Sequence, residues 1–508
     1  MRREARSPSP ASQRVLVLAG HTSNNRAMRE EQAPGDDDGE GARPSYRAVL
    51  ALLIAAEFAS ALSGGSIYNA LAKLYEIYGD PARVSWLLTA NALSSAASAI
   101  LVARLGDMYG RARMLKLMLL ALLVGCLVSL ASTNLTVIII GRAIQGLSMA
   151  ILPLAFGLLR EHAPSSRDLN FGVGLLGGIY SFSTGAAFIL SGAVIDWFGW
   201  QHIFTVGTIP AAIALVLTWR YLPDLPREYR RAGIDWIGTT FVFPICGLLL
   251  SFNFGKSYGW LSAPTLGLLG SSIVALIAWS RYELRRGDPL VDLRLLSNPT
   301  IALVNASIFF MAMGPLAYPQ VVMPLLQQPV WTGVGLGISA TLAGVLKLPT
   351  NLSSGAAGIG AGLYARHHSM RPPVIAACAA NVIAFALLAV SHSSLIFVLA
   401  VCVLLASPAV TIMFACAPGL IIEAAPADRT SEVTGLSSVL RSMGQAIGAQ
   451  LAGLTLASSR ITDAAGTSFP DTTAYVRTFG LVALLSFGSL VFAVLIPKRP
   501  RPAVALAH

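Results

Sequence analysis

Long apolar blocks of about twenty residues are the feature of this sequence that most constrains its fold. Fourteen blocks are found by sequence alone, at residues 48–71, 84–103, 114–132, 135–158, 170–195, 202–222, 236–254, 263–281, 300–323, 337–362, 373–391, 394–422, 432–458 and 475–497. Only 12% of the residues are charged and the mean hydropathy is +0.65, whereas soluble domains carry about 25% charged residues. The blocks therefore predict an all-α integral membrane protein with fourteen transmembrane helices, and they argue against a soluble enzyme.

The distribution of Lys and Arg orients these predicted helices. If the chain starts in the cytoplasm, 28 of its 36 Lys and Arg residues fall on the cytoplasmic side and 5 on the opposite side. Arg142, Lys347 and Arg441 make up the remainder and lie inside predicted spans. Because Lys and Arg concentrate on the cytoplasmic side of membrane proteins, this asymmetry predicts that both termini are cytoplasmic. The net charge of +11 is then explained by cytoplasm and anionic lipid rather than by a nucleic-acid partner.

The charged loops divide the predicted helices into two groups of six separated by a pair. We expect a disordered cytoplasmic tail at 1–47, a six-helix bundle at 48–222, a linker with two extra helices at 223–299, a second bundle at 300–497 and a cytoplasmic tail at 498–508. Two bundles around a central path are the arrangement of carriers that alternate access between the two membrane faces. Arg outnumbers Lys 31 to 5, which is typical of a GC-rich bacterial genome, so we expect the bacterial inner membrane.

A short turn between the second and third predicted helices carries two glycines and three charges. Gly106 and Gly110 permit a tight backbone there. Asp107, Arg111 and Arg113 can reach charges and helix ends on neighbouring elements. This turn resembles the cytoplasmic signature loop of the major facilitator superfamily. The resemblance implies that these five residues form a gate loop on the cytoplasmic side.

Two further helices resemble the same superfamily. The fourth predicted helix contains Arg142, Gln145 and Gly146, similar to the motif in which that Arg is linked to proton coupling. The fifth contains Gly185 and Gly192 and is similar to the antiporter type of fifth helix. Small residues at such positions allow helices to approach closely, so these glycines are predicted to pack against neighbouring helices.

The thirteenth predicted helix contains Arg441, Gly444, Gln445 and Gly448, and it is similar to the fourteen-span drug-exporting branch of the superfamily. Together the motifs cover about residues 48–497. The resemblance implies a major facilitator fold of six, two and six helices and a drug:proton antiporter.

Three positions depart from the pattern of that branch. Ala103 stands where the signature loop usually begins with Gly, and Arg366 replaces an Asp in the second-half copy of the loop. The acid expected in the first helix aligns near Ser63, although Glu57 lies about two turns earlier. The departures at Ser63 and Arg366 change the charge balance that the resemblance alone would imply.

Ionisable groups at membrane depth are functional candidates, because each costs about 2.5–3.5 kcal/mol to insert. Helix arithmetic places Glu57 and Arg142 about 8 Å apart in depth, a gap that two long side chains could bridge. We hypothesise that Glu57 carries a coupling proton and that Arg142 tunes its pKa. The alternative is a permanent structural ion pair that does not titrate.

Lys347 and Arg441 both fall near mid-depth in the second half. Two cations facing one cavity would favour an anionic substrate, and the alternative is that each bonds carbonyls at helix ends. The remaining polar candidates for a substrate cavity are Ser63, Tyr68, Gln145, Asn351 and Gln445. For Asn351, Gln445 and Gln450, cavity lining and bonding between helices are both open.

These features predict proton-coupled efflux of small amphipathic compounds by alternating access. The alternatives are a transporter of an anionic metabolite, such as a siderophore or organic acid, and a non-transporting membrane sensor with the same fold. The sequence contains no P-loop and no cysteine pattern with metal-ligand spacing, so we expect neither ATP hydrolysis, a cofactor nor a metal. The expected partners are a small-molecule substrate, protons and the lipid bilayer, and we expect a monomer.

Overall fold

The computed structural model describes residues 45–223, 237–287, 289, 292–365, 367–425, 430–464 and 466–498. Nearly all of both predicted tails lies outside these ranges, as does the first part of the predicted linker. Residue Arg366 and the side chains of Ala103 and Asp107 also lie outside the described part of the chain. The expectations for these positions therefore stay predictions.

Eight α-helices follow one another between residues 45 and 223. They are α1 (Tyr46–Tyr78), α2 (Pro81–Val84), α3 (Trp86–Tyr109), α4 (Arg111–Leu130), α5 (Leu135–Gly146), α6 (Ile151–His162), α7 (Ser166–Phe198) and α8 (Thr205–Tyr221). A 3₁₀ turn at Leu147–Ala150 joins α5 and α6 into one rod of 28 residues, and another at Trp200–Phe204 leads into α8.

The two extra helices, α9 (Val242–Tyr258) and α10 (Ala263–Arg285), pack against each other as a hairpin. A 3₁₀ turn at Gly238–Phe241 precedes α9. The indole Nε1 of Trp279 on α10 donates to the carbonyl of Gly238 at 3.0 Å, which fixes the base of the hairpin. Apolar residues of α9 also pack against both α3 and helix α18 (Thr430–Leu456) of the second bundle.

The second bundle contains nine α-helices and a short β-hairpin. The helices are α11 (Pro299–Met313), α12 (Tyr318–Gln327), α13 (Ala340–Leu346), α14 (Leu348–Ala365), α15 (Arg371–Val390), α16 (Leu395–Val401), α17 (Ser407–Ala424), α18 and α19 (Thr472–Leu495). The antiparallel strands β1 (Arg460–Thr462) and β2 (Ser468–Pro470) lie between α18 and α19, with Ile461 opposite Phe469. A 3₁₀ turn at Pro315–Ala317 joins α11 to α12, and a π-helical turn at Cys402–Ala406 joins α16 to α17.

Polar caps and glycines set the helix boundaries. At many helix starts a side-chain oxygen accepts a hydrogen bond from a backbone N–H of the first turn. The capping residues include Ser45, Asn134, Ser165, Asn298, Ser339, Ser394 and Asp471. Gly79 ends α1 with φ of 66°, and Gly110 separates α3 from α4 with φ of 97°. Residues with a side chain rarely adopt this left-handed backbone, so glycine makes both sharp turns possible.

Ten of the described helical segments are long and apolar enough to cross a membrane. They are 46–78, 111–130, 135–162, 167–198, 200–221, 263–285, 299–327, 371–390, 395–424 and 472–495. The predicted all-helical membrane fold is thus confirmed. The other four predicted spans coincide with the helices α3, α9, the α13–α14 pair and α18, which are not among these ten segments.

Besides the apolar contacts between α3, α9 and α18, three further apolar cores organise the described helices. One fills the first bundle and one fills the second. The third joins the bundles at one end, where Leu74 of α1 and Leu87 of α3 meet Val321 and Leu325 of α12 and Leu456 of α18. We call this end the sealed end; it carries the α1–α2 turn, the end of α7 and the β-hairpin. The opposite end, where α1, α7 and α18 begin, is called the open end.

Candidate functional site

Asn69 of α1 forms hydrogen bonds that join the two bundles at the sealed end. Its Nδ2 donates to the carbonyl of Phe188 on α7 at 2.8 Å and to that of Ala340 on α13 at 3.0 Å. Its Oδ1 accepts from Nε2 of Gln327 on α12 at 2.7 Å. Because this amide is fully buried and uses both of its N–H donors, it holds α1, α7, α12 and α13 in one arrangement.

A second polar contact joins the bundles where α2 and α3 face α12 and α18. Nε2 of Gln320 on α12 donates to the hydroxyl of Ser85 at 2.8 Å. Nε2 of Gln450 on α18 donates to the carbonyl of Ala82 at 3.1 Å, and its Oε1 accepts from the hydroxyl of Thr89 at 3.3 Å. Gln450 therefore bonds between helices, one of the two roles that the sequence leaves open.

Two carboxylates complete the sealed end. Asp196, at the end of α7, accepts from the backbone N–H of Ala340 at 3.3 Å and from that of Thr341 at 2.8 Å. It thereby caps the N-terminus of α13 from the other bundle, where the helix dipole favours a negative charge. Asp80 forms an ion pair of 2.8 Å with Arg460 of β1. Both contacts exist only while the sealed end is closed.

The bundles separate toward the open end. At Gly185 of α7 the two bundles touch, because a Cβ added there would lie 2.7 Å from Nδ2 of Asn351 on α14. Gly178 lies two helical turns nearer the open end on the same face of α7, and Gly355 lies one turn nearer it on the face of Asn351. A Cβ added to either glycine would meet no atom within 4 Å. The space between α7 and α14 therefore widens away from the sealed end.

Arg142 on α5 is held by the interior of the first bundle rather than by Glu57. Its guanidinium donates to Oε1 of Gln145 at 2.8 Å and to the carbonyls of Leu87 at 3.3 Å and Ser63 at 3.4 Å. Only 2% of its surface is exposed. The expected contact with Glu57 is absent among the described residues, because carbonyls and an amide closer to Arg142 take up its donors.

Ser63 and Gln145 belong to this same network. The hydroxyl of Ser63 donates to Oε1 of Gln145 at 3.3 Å, and Nε2 of Gln145 donates to the hydroxyl of Ser129 on α4 at 3.1 Å. Both side chains are buried. The sequence predicts them at a cavity surface, but in this structure they form the shell that satisfies Arg142.

Glu57 lies on α1 about two turns nearer the open end than Ser63. Only 2% of its surface is exposed, and no hydrogen bond or ion pair to its carboxylate occurs among the described contacts. Gly64, seven residues further along the same face of α1, has open space beside it, since an added Cβ would meet no atom within 4 Å. Because α1 is mostly buried inside the protein, this space is internal. Glu57 is thus a buried acid without a described counterion, two helical turns from a position on the same face of α1 where a side chain would have room.

A polar contact between the two bundles lies about 17 Å nearer the sealed end than Glu57. Nε2 of Gln445 on α18 donates to the hydroxyl of Tyr68 on α1 at 3.5 Å, and the ring of Tyr68 stacks on that of Phe188 at 6.2 Å between centroids. The hydroxyl of Tyr180 on α7 lies within electrostatic range of Glu57 and of Arg441. Arg441 is exposed, and its guanidinium carbon lies 5.7 Å from the ring centroid of Phe414. Tyr68, Gln445 and Arg441 therefore lie in one region of the structure, and their role as cavity residues stays a prediction.

Lys347 is enclosed rather than open to the cavity. It lies at the break between α13 and α14, and 5% of its surface is exposed. Its Nζ donates to the hydroxyl of Thr350 at 2.9 Å and lies 4.2 Å from the ring centroid of Tyr318 and 5.7 Å from that of Phe188. Aromatic rings, and not helix-end carbonyls, thus surround this cation, an arrangement that a cation–π interaction stabilises.

The predicted gate loop lies at the open end. Arg111 forms an ion pair of 3.2 Å with Glu161 at the end of α6, and its side chain passes directly over Gly157. Gly106 lies against Leu154, so the loop packs tightly on α6. Arg113 is exposed. The described part of this loop therefore links α3 and α4 to the fourth predicted span within the first bundle.

The five glycines predicted to pack against helices all lie at close helix contacts. A Cβ at Gly146 would meet Asn91 of α3, one at Gly444 would meet Phe309 of α11, and one at Gly448 would meet Met313 of α11. A Cβ at Gly185 or Gly192 would instead meet the second bundle, at Asn351 and at the backbone of Ala340 respectively. Three glycines thus serve packing within a bundle, and two serve contacts between bundles.

Sequence reasoning missed Asn69 and Asp196 as members of this site. An Asn inside an apolar span requires polar partners, so Asn69 carried a usable signal. Asp196 follows the fifth predicted span, but nothing in the sequence indicates that it faces the start of α13.

Comparison with known proteins places these features in a family. Residues 53–449 match the family described as Major Facilitator Superfamily. The chain is 25% identical over 342 residues to the multidrug transporter protein MdtP of Bacillus subtilis (strain 168), an alignment of 66% of this chain and 61% of that protein. It is 26% identical over 326 residues to multidrug resistance protein 3 of the same organism, covering 64% of this chain and 62% of that protein. The chain thus spans about three fifths of the length of these two relatives.

Solved structures of low sequence identity share the fold. A bacterial homolog of the human lysosomal transporter Spinster, in an inward-facing and occupied conformation, has a TM-score of 0.64 at 13% identity, with 90% of this chain and 97% of that chain covered. The nucleoside transporter NupG has a TM-score of 0.60 at 13% identity, with 87% of this chain and 98% of that chain covered. At this identity the likeness establishes the fold alone.

Proposed function

Because this chain belongs to the Major Facilitator Superfamily, we propose that it is a secondary transporter that exports small amphipathic compounds in exchange for protons. The observation that carries the proposal is Glu57, a buried acid without a described counterion on the face of α1 that also has room beside Gly64. Such a group at membrane depth costs about 2.5–3.5 kcal/mol to insert, so a functional role accounts for it. The two Bacillus relatives bear multidrug names, which supports the same substrate class.

The proposed topology has fourteen spans, with α3, α9, the α13–α14 pair and α18 crossing the bacterial inner membrane beside the ten apolar segments. Both termini are cytoplasmic, because the excess of Lys and Arg then lies inside. In this orientation the open end faces the cytoplasm and the sealed end faces outward. The protein acts as a monomer.

The transport cycle alternates between this cytoplasm-open arrangement and one in which the sealed end has parted. Glu57 releases its proton to the cytoplasm, and substrate enters between α7 and α14. Rocking of the bundles breaks the contacts of Asn69, Asp196 and Gln450 and exposes the cavity outward. A proton from outside then binds Glu57 as substrate leaves, so the proton gradient drives the export of substrate.

Replacing Glu57 with Gln tests the proton step, because Gln keeps the shape of the side chain but cannot exchange a proton at neutral pH. In proteoliposomes with an imposed pH gradient, we expect Glu57→Gln to lose gradient-driven accumulation. Substrate counterflow, which needs no net proton movement, should persist at high substrate concentration, even if the neutral Gln binds substrate less tightly. Unchanged gradient-driven transport by the variant would exclude Glu57 as the proton carrier.

A second candidate is transport of an anionic metabolite such as an organic acid. It is favoured by Arg441, an exposed cation at the level of the cavity. Counterflow with cationic, neutral and anionic compounds side by side separates the two candidates.

A further inference from the structure

Of Arg142, Lys347 and Arg441, Arg441 alone is exposed in the described part of the chain. Arg142 is saturated by carbonyls and Gln145, and Lys347 is enclosed by Tyr318, Phe188 and Thr350. Arg441 makes no hydrogen bond or ion pair among the contacts of the described residues, and its flat face rests near Phe414. Its guanidinium donors therefore remain available in the fork geometry that suits a carboxylate or a similar planar anion.

The free cation and the free acid lie on opposite bundles at different depths. The contact between Tyr68 and Gln445 aligns α1 with α18, which run in the same direction. From that contact toward the open end, Glu57 is eleven residues along α1 and Arg441 is four residues along α18. At 1.5 Å per residue these separations are ~17 Å and ~6 Å, so the two residues are offset by ~10 Å along the axis.

Tyr180 is close enough to both charges to interact with each of them. Its hydroxyl feels the charge of Glu57 and that of Arg441, and 42% of the side chain is exposed. The ring therefore presents an apolar body and a polar tip to the opening, close to both the acid and the cation.

From this arrangement we infer that the preferred substrate is an extended zwitterion, an aromatic or apolar body with a carboxylate at one end and a protonated amine at the other. The carboxylate binds Arg441 of the second bundle, the amine faces Glu57 of the first, and the body lies against Tyr180. One molecule would then satisfy both unpaired charges and link the two bundles.

This inference rests on the proposed transport function and specifies its substrate. An amine at Glu57 requires the ionised carboxylate, so amine and proton exclude each other at that position. The carboxylate at Arg441 adds recognition that a purely cationic compound lacks.

4′-(Aminomethyl)biphenyl-4-carboxylic acid and its methyl ester form a matched pair of compounds for the test, because both carry a protonated amine at one end of an aromatic body and esterification removes only the carboxylate at the other end. Equilibrium binding to the purified full-length protein and counterflow in proteoliposomes are measured for both. We expect the native protein to prefer the acid. Arg441→Gln should weaken acid binding by about tenfold to a hundredfold, the range for losing a charge-assisted hydrogen bond, and leave the ester unchanged.

Arg477→Gln is the matched control, since Arg477 is an exposed residue at the sealed end that bonds Ser458. Equal loss of acid and ester in Arg441→Gln, or a native preference for the ester, would overturn the inference. Counterflow of the ester alone would leave the transport function standing and remove only the zwitterion. Preferential binding of the acid without any counterflow would support the site and refute transport.

Discussion

Gly192→Ala should shift the balance between the closed and the parted sealed end without unfolding the protein. Gly192 on α7 lies so close to α13 that an added Cβ would be 2.7 Å from both the carbonyl carbon of Ala340 and the Cα of Thr341. Ordinary carbon contacts are about 3.5–4.0 Å, so α13 would have to move by about 1 Å. Backbone atoms cannot rotate away as a flexible side chain can.

The expected magnitude follows from where the clash lies. Overpacking of this kind costs about 1–3 kcal/mol. The contact joins different bundles, so the penalty falls only on the closed arrangement and shifts the equilibrium by about 5- to 150-fold. The gain in helix propensity from Gly to Ala, about 0.5–1 kcal/mol, applies to both arrangements and cancels.

Spin labels on the two bundles measure this shift. Ile77 on α1 and Val330 before α13 are 45% and 68% exposed at the sealed end, so cysteines introduced at these positions can be labelled. The background variant is Cys246→Ser, because the four other native cysteines are buried. Pulsed dipolar distances in lipid nanodiscs should show a larger long-distance population in Gly192→Ala. In Gly146→Ala the Cβ meets α3 of the same bundle, so that variant should lose stability without the shift. An unchanged distance distribution in folded Gly192→Ala, or the same shift in both variants, would refute the reasoning.

Two further substitutions probe the cavity and its enclosed cation. Gly64→Leu should block counterflow while keeping the thermal midpoint, because its side chain enters open space; Gly65→Ala should lower the midpoint, since its Cβ would lie 2.9 Å from that of Ala187. Equal losses of thermal midpoint in the two variants would show that no space exists beside Gly64. Lys347→Met should raise the free energy of unfolding by about 1–3 kcal/mol, because an apolar residue of similar volume avoids the desolvation of a cation without a described acidic partner. A lower midpoint would show that the ring of Tyr318 stabilises Lys347 more than burial destabilises it.

The sequence was sufficient for the helices and insufficient for their side-chain partners. Apolar blocks are a local signal, so they located the fourteen segments in which most of the helices lie, but not the turns that divide several of these segments. The partners of Arg142 depend on which helices adjoin. Counting residues along a helix gave the depth of a side chain in the membrane but not the direction in which it points around the helix axis. The depth of the two residues allowed Glu57 as a partner of Arg142. In the folded chain, the carbonyls of Leu87 and Ser63 and the amide of Gln145 lie closer to the guanidinium and accept its hydrogen bonds.

The contacts of Arg142, Lys347 and Arg441 change what the number of charges within the spans implies about the substrate. Taken as a count within the spans, one acid faces three bases, and that excess favours an anion. In the folded chain, Arg142 is satisfied by polar contacts inside the first bundle and Lys347 by aromatic rings and a hydroxyl. The described part of the cavity then presents Glu57 against Arg441, one charge of each sign on opposite bundles. A simple anion would leave Glu57 unmatched and a simple cation would leave Arg441 unmatched, so a molecule carrying both charges fits this cavity better than either.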